Sequence, residues 1–114
     1  SGDKRHRRWT GTNPPYLSNE AIVWVDGLGI DHLLVDLPSL DREDDGGGVV
    51  NHRRWWRLPA GSQDASVSAV QHRSVTELID VPGHVPDGPY ALSLRVAPLA
   101  LDAAPSSAVI YPID

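Results

Sequence analysis

Five residues in this chain have types and positions that could do chemistry: Asp36, Ser39, Asp41, His52 and Glu77. Glu77 lies in the segment VTELIDV, residues 75–81, where strand alternation places Val75, Glu77, Ile79 and Val81 on one face. A carboxylate buried unpaired among β-branched side chains costs several kcal/mol, so it must be protonated, paired, hydrogen-bonded or bound to a metal. The plainer alternative is an edge strand with Glu77 outward and Leu78 inward. His52 follows an acidic, Gly-rich loop, and neutral imidazole is a common ligand for zinc-type metals. A single His is more often a surface or core hydrogen-bonder, and His6, His32, His72 and His84 share that ordinary reading. Asp36 and Asp41 flank the turn Pro38-Ser39, where either ligand binding at a strand end or plain turn capping accounts for them. Together His52 and Glu77 suggest half of a metal site.

Other chemistries are absent from the sequence. It has no GxSxG elbow, phosphate loop, dinucleotide fingerprint or HExxH pair. Gly46-Gly47-Gly48 lacks the following Lys-Ser/Thr of a phosphate cradle. Trp55 and Trp56 beside Arg53, Arg54 and Arg57 could stack on bases. A net charge of −5 argues against general nucleic-acid binding, which needs a broad basic face.

These residues must be positioned by a small set of elements. GTNPPY, residues 11–16, is turn chemistry. Ser18 reads as an N-cap with Glu20 in the first turn. Ala21, Trp24, Val25 and Leu28 follow helical spacing, which predicts a helix over 19–28 with Trp24 in the core. Gly27 and Gly29 supply the stop. Residues 32–37 are apolar on both alternating faces and predict a covered strand. Five acidic residues between Asp36 and Asp45 and three glycines require a loop over 38–48. A helix is expected over 49–57, a polar insertion over 58–74, and strands over 75–81, 90–98 and 107–113. The last three make the C-terminal half β-rich and partly antiparallel. Helix beside buried strand points to an α/β or α+β class.

The 114 residues suit one domain, expected to run over 1–114. The chain has no methionine and begins at Ser1 in a basic run, DKRHRRW at 3–9, which favours a fragment of a longer reading frame over a processed start. Zero cysteines exclude disulfides, Cys-zinc sites and thiol nucleophiles, and they agree with a cytoplasmic setting. No apolar run approaches the ~20 residues of a membrane helix, so no membrane partner is expected.

The order GTNPPYLSNEAI, HLLVDLPSLDREDDGG, NHRRWW and SVTELIDVPGHVPDGPYALSLRVAPLALDAAPSSAVIYPI resembles the C-terminal part of the cyclase family of metal-dependent hydrolases. That family includes bacterial kynurenine formamidase (arylformamidase) and isatin hydrolase. The resemblance runs from about Gly11 to Ile113, and D-x-P-S-x-D at 36–41 and T-E-L at 76–78 are its most specific parts. It implies the C-terminal portion of a swivelling β/β/α fold, a mixed sheet with short flanking helices. It also implies hydrolysis of an amide or ester such as N-formylkynurenine at a Zn or Mn ion, a small-molecule substrate and homo-oligomers. His52 and Glu77 fall where the family places a His and a Glu metal ligand, and Asp36, Ser39 and Asp41 would shape the pocket or support a ligand. His72 is the rival to His52, being nearer to Glu77 in sequence. The family's N-terminal H-x-x-H-x-[D/E] motif has no match here, so these 114 residues would need the missing half of the polypeptide to act. The competing reading is a non-catalytic, degenerate or binding domain of the same fold.

Overall fold

The computed structural model describes residues 8–59, 62, 66 and 68–113. The start of the basic run and six residues of the expected insertion lie outside them. The chain forms two compact units, Ser1–Pro82 and Gly83–Asp114. It is an α+β protein: among the described residues two short helices accompany a parallel strand pair in the first unit, and the second holds an antiparallel pair.

Helix α1 is Asn19–Asp26. Ser18 caps it as expected, its Oγ accepting the Ala21 N–H at 3.1 Å, and Gly27 closes it with its N–H on Val23 O. The buried face differs from the expected one. Ile22 is 1% exposed, whereas Trp24 is 67% exposed and faces solvent. Residues 21–25 are all apolar, so periodicity alone cannot select a face; Ile22 and Val25 turn inward.

Strands β1 (His32–Leu34) and β2 (Ser74–Thr76) pair in parallel, with Leu33 opposite Val75. Both are shorter than the sequence suggests. Bonds continue the ladder irregularly, Val35 N–H to Thr76 O at 2.9 Å and Leu78 N–H to Leu37 O at 2.9 Å. Regular extension stops because Leu78 takes φ +58°, a left-handed conformation rare for a side-chain-bearing residue. Leu78 points outward and Glu77 is half-buried, the reverse of the edge-strand alternative.

Helix α2 is Val50–Trp55. Asp45 prepares its entry by accepting the N–H groups of Gly47 and Val49, at 2.8 and 2.7 Å. Val49 itself sits at φ +42° with no side-chain cap. Trp55 is fully buried and joins Ile22 and Leu40 as the core, with Leu17, Val25, Ile30, Leu33, Val35, Trp56 and Val75 packed around them.

The end of the expected polar insertion belongs to this core. Arg73 is 8% exposed, lies over the Trp55 ring at 4.6 Å, and donates to Trp55 O and the Asp26 carboxylate. Asp26 also accepts from Arg57 at 3.1 Å. Burial pushes the Asp26 carboxyl up, but hydrogen bonds from Arg73 and Arg57 outweigh it and hold the carboxyl below its ordinary value.

In the second unit, β3 (Tyr90–Val96) and β4 (Ser106–Pro112) pair antiparallel. Tyr90, Leu92, Leu94 and Val96 face the same side as their partners Pro112, Ile110, Ala108 and Ser106. Every residue of β4 is exposed, so this chain presents apolar sheet surface to solvent.

Two changes test this account. Val49→Asn should stabilise the protein by about 1 kcal/mol, because Asn tolerates the left-handed conformation that strains a β-branched residue. Asp26→Asn should destabilise it by about 3 kcal/mol by leaving the buried Arg73 charge without its carboxylate. Urea denaturation reads both.

Candidate functional site

The site is built on Asp41, which is 7% exposed. The turn after β1 delivers it, and Ser39 Oγ accepts the Asp41 N–H at 3.1 Å. Asp41 Oδ1 accepts the Asn51 N–H at 2.7 Å, and Oδ2 accepts the His52 N–H at 3.0 Å. A carboxylate from ten residues upstream therefore satisfies N–H groups in the first turn of α2, where no side-chain cap exists.

The same Oδ2 lies 2.7 Å from His52 Nδ1. The other ring nitrogen, Nε2, lies 3.0 Å from Glu77 Oε1. Glu77 Oε1 in turn accepts the Leu40 N–H at 3.0 Å. The Trp56 ring stacks beside the imidazole, 6.2 Å between centroids and 18° between planes. The result is a chain of groups, Asp41–His52–Glu77, in which every polar atom named has a partner. His52 and Glu77 remain about a quarter exposed, so the pair opens to solvent while Asp41 does not.

This setting favours imidazolium. The hydrogen bond with Glu77 raises the His52 pKa above its ordinary value of 6.5; burial opposes the rise, and Asp41 adds to it. The cause is geometric: each ring N–H points at a carboxylate oxygen.

The five residues singled out in the sequence therefore divide. Asp41, His52 and Glu77 converge, although 36 positions separate Asp41 from Glu77. Ser39 contributes through the Asp41 backbone alone. Asp36 is exposed and makes none of the bonds just described. His72 is the partner of Asp31, at 2.9 Å on the surface, so the histidine that meets Glu77 is His52. Among the described residues no group of three or more His, Cys, Asp or Glu side chains could hold a metal ion.

Two contributors were not legible in the sequence. Asn51 is 2% exposed and donates from Nδ2 to Leu17 O and Leu40 O, at 2.7 and 2.9 Å, tying α2 to the turn that carries Asp41. Trp56 flanks the imidazole while donating from Nε1 to Arg73 O at 3.0 Å. An Asn inside a six-residue helix, or a Trp just past its end, gives no pattern that marks either role.

No family model, curated protein or solved structure matches the chain.

The raised His52 pKa sets a direction for pH dependence. Its contribution to stability is complete below 6.5 and is lost as pH rises through the higher folded value. In chelator-treated protein, thermal stability should therefore fall on raising the pH upward from 6.5, and His52→Gln should flatten that slope. A slope unchanged by the substitution would exclude the doubly paired imidazolium.

Proposed function

We propose that this chain supplies two protein ligands of a divalent-metal site, His52 Nε2 and Glu77 Oε1, in a hydrolase of amide or ester bonds. The observation that carries this reading is their 3.0 Å separation, with Asp41 on the opposite ring nitrogen. Donors bound to one ion at about 2.0–2.2 Å lie roughly 3–4 Å apart. A carboxylate on the distal nitrogen is the usual support of a metal-bound His, fixing its tautomer and ring orientation. These two donors suit Zn or Mn, and a catalytic ion takes about three protein ligands. The resemblance assigns the further donor to an H-x-x-H-x-[D/E] motif in polypeptide other than these 114 residues.

When bound, such an ion lowers the pKa of its water and polarises the substrate carbonyl. The chain's own residues have separate tasks. Asp41 holds the proton on Nδ1, which leaves Nε2 as the donor nitrogen. The Leu40 N–H fixes one oxygen of Glu77. The Trp56 ring walls one side of the imidazole. The resemblance to kynurenine formamidases supplies the substrate class, an arylformamide or cyclic amide, together with the C-terminal part of a swivelling β/β/α fold and self-association.

A second reading has its own observation. Both His52 nitrogens already meet carboxylates within this chain, as in a closed structural ion triad. That favours a non-catalytic or binding domain of the same fold.

One experiment separates the two. The full reading frame encoding these residues is expressed, its Zn and Mn content measured by mass spectrometry, and hydrolysis of N-formylkynurenine followed. Under the hydrolase reading, His52→Ala and Glu77→Ala abolish activity and bound metal. Asp41→Asn then lowers metal affinity by about 10–100-fold. Metal content unchanged in His52→Ala and Glu77→Ala would refute the ligand assignment. A wild-type protein that neither binds nor uses either metal is the domain of the second reading.

A further inference from the structure

We propose that a cleft on the side of α2 away from His52 binds a small organic anion, a carboxylate or a phosphate ester. The cleft measures about 530 Å³, and its walls include Asp26, Val50, Arg53, Arg54, Arg57 and Leu58. Positions 50, 53 and 54 follow i, i+3, i+4 spacing and share one face of α2, and Arg57, just past the helix end at φ +49°, joins them in the cleft wall. The volume is in the range of small-molecule sites.

The charge in this cleft is unbalanced. Asp26 is its carboxylate, and the same Oδ1 that accepts from Arg57 also accepts from buried Arg73. Arg53 spends its guanidinium on two neutral acceptors, Pro59 O at 2.8 Å and Ser62 O. Arg54 is exposed, and among the described residues its side chain has no hydrogen bond or ion pair. Three guanidinium groups thus line the cleft beside one carboxylate, and that carboxylate is already engaged by Arg57 and by Arg73 from behind it. Like charges on one helix face repel, so an anion seated among them removes a penalty as well as gaining contacts.

The arrangement also states what kind of anion fits. A guanidinium offers a planar fork that matches a carboxylate or phosphate with two parallel bonds. Arg53 is held in place by its backbone acceptors, which lowers the ordering cost of binding. Val50 is 52% exposed, and with Leu58 it gives the cleft an apolar wall beside the cations. The ligand is therefore an oxyanion with a compact apolar body rather than a bare inorganic ion. Arg54 is the cation free to close on it.

The test is titration of the ¹⁵N-labelled protein with benzoate, phenyl phosphate and inorganic phosphate in low-chloride buffer. Saturable shifts at the amides of Val50, Arg53 and Arg54 are expected with benzoate or phenyl phosphate, and the tighter of the two names the head group. Inorganic phosphate is expected to bind more weakly than phenyl phosphate. Arg54→Gln, which breaks no bond in the fold, should weaken binding by about fivefold or more, the loss of one charge-assisted contact. Arg95→Gln changes the net charge equally on β3 and should leave affinity unchanged. Shifts that stay linear, or equal affinities in Arg54→Gln and Arg95→Gln, would overturn the proposal.

Discussion

The Asp41 carboxylate is the interaction on which the first unit depends. Its two oxygens accept three hydrogen bonds, from the Asn51 and His52 amides and the His52 ring. A buried carboxylate is tolerable only when satisfied in this way. Meeting that requirement fixes where α2 starts, how it faces the turn after β1, and which way the His52 ring is rotated. Leu40, the adjacent residue, is then buried completely, with its carbonyl bonded to Leu17 and Asn51 and its amide to Glu77. One acid thus couples packing to site geometry. Among the described residues the core is small, three fully buried apolar side chains, so such polar ties contribute more here than they would in a larger domain.

The same arrangement explains why His52 and Glu77 meet. Glu77 follows the last paired residue of β2, and the left-handed turn at Leu78 ends the extended run directly after it. The ladder places β2 beside β1, and the turn after β1 delivers Asp41 and Leu40 to the same region. Each partner reaches the imidazole from a different segment. The imidazole is held from both ends, which is why its orientation is set by the protein itself.

Much of this was readable from residue order. Ser18 as a cap and β3 as a strand follow from local chemistry, whereas His52 and Glu77 stood out as residue types and were paired through the family resemblance. Trp24 did not, because five consecutive apolar residues in α1 leave the inward face undetermined until Ile22 finds Leu40 and Trp55. The shortened strands did not either: nothing in VTELIDV announces a left-handed Leu78. Arg73 was hidden in a segment that reads as polar, since its burial depends on Asp26, 47 positions earlier. Asp41 was visible as a turn residue, but its grip on α2 is a long-range bond that pattern cannot supply.

The β3–β4 hairpin has a consequence of a different kind. Ser106 to Tyr111, SSAVIY, is six residues with no charge, glycine or proline, and each is exposed. Short uncharged segments of high β-propensity on an open strand are templates for edge-to-edge pairing between molecules. Pro112, which lacks an amide donor, interrupts the run at its end. An uncharged, exposed strand of this kind is where pairing between molecules would start, and Pro112 stands at its end in the position of a gatekeeper.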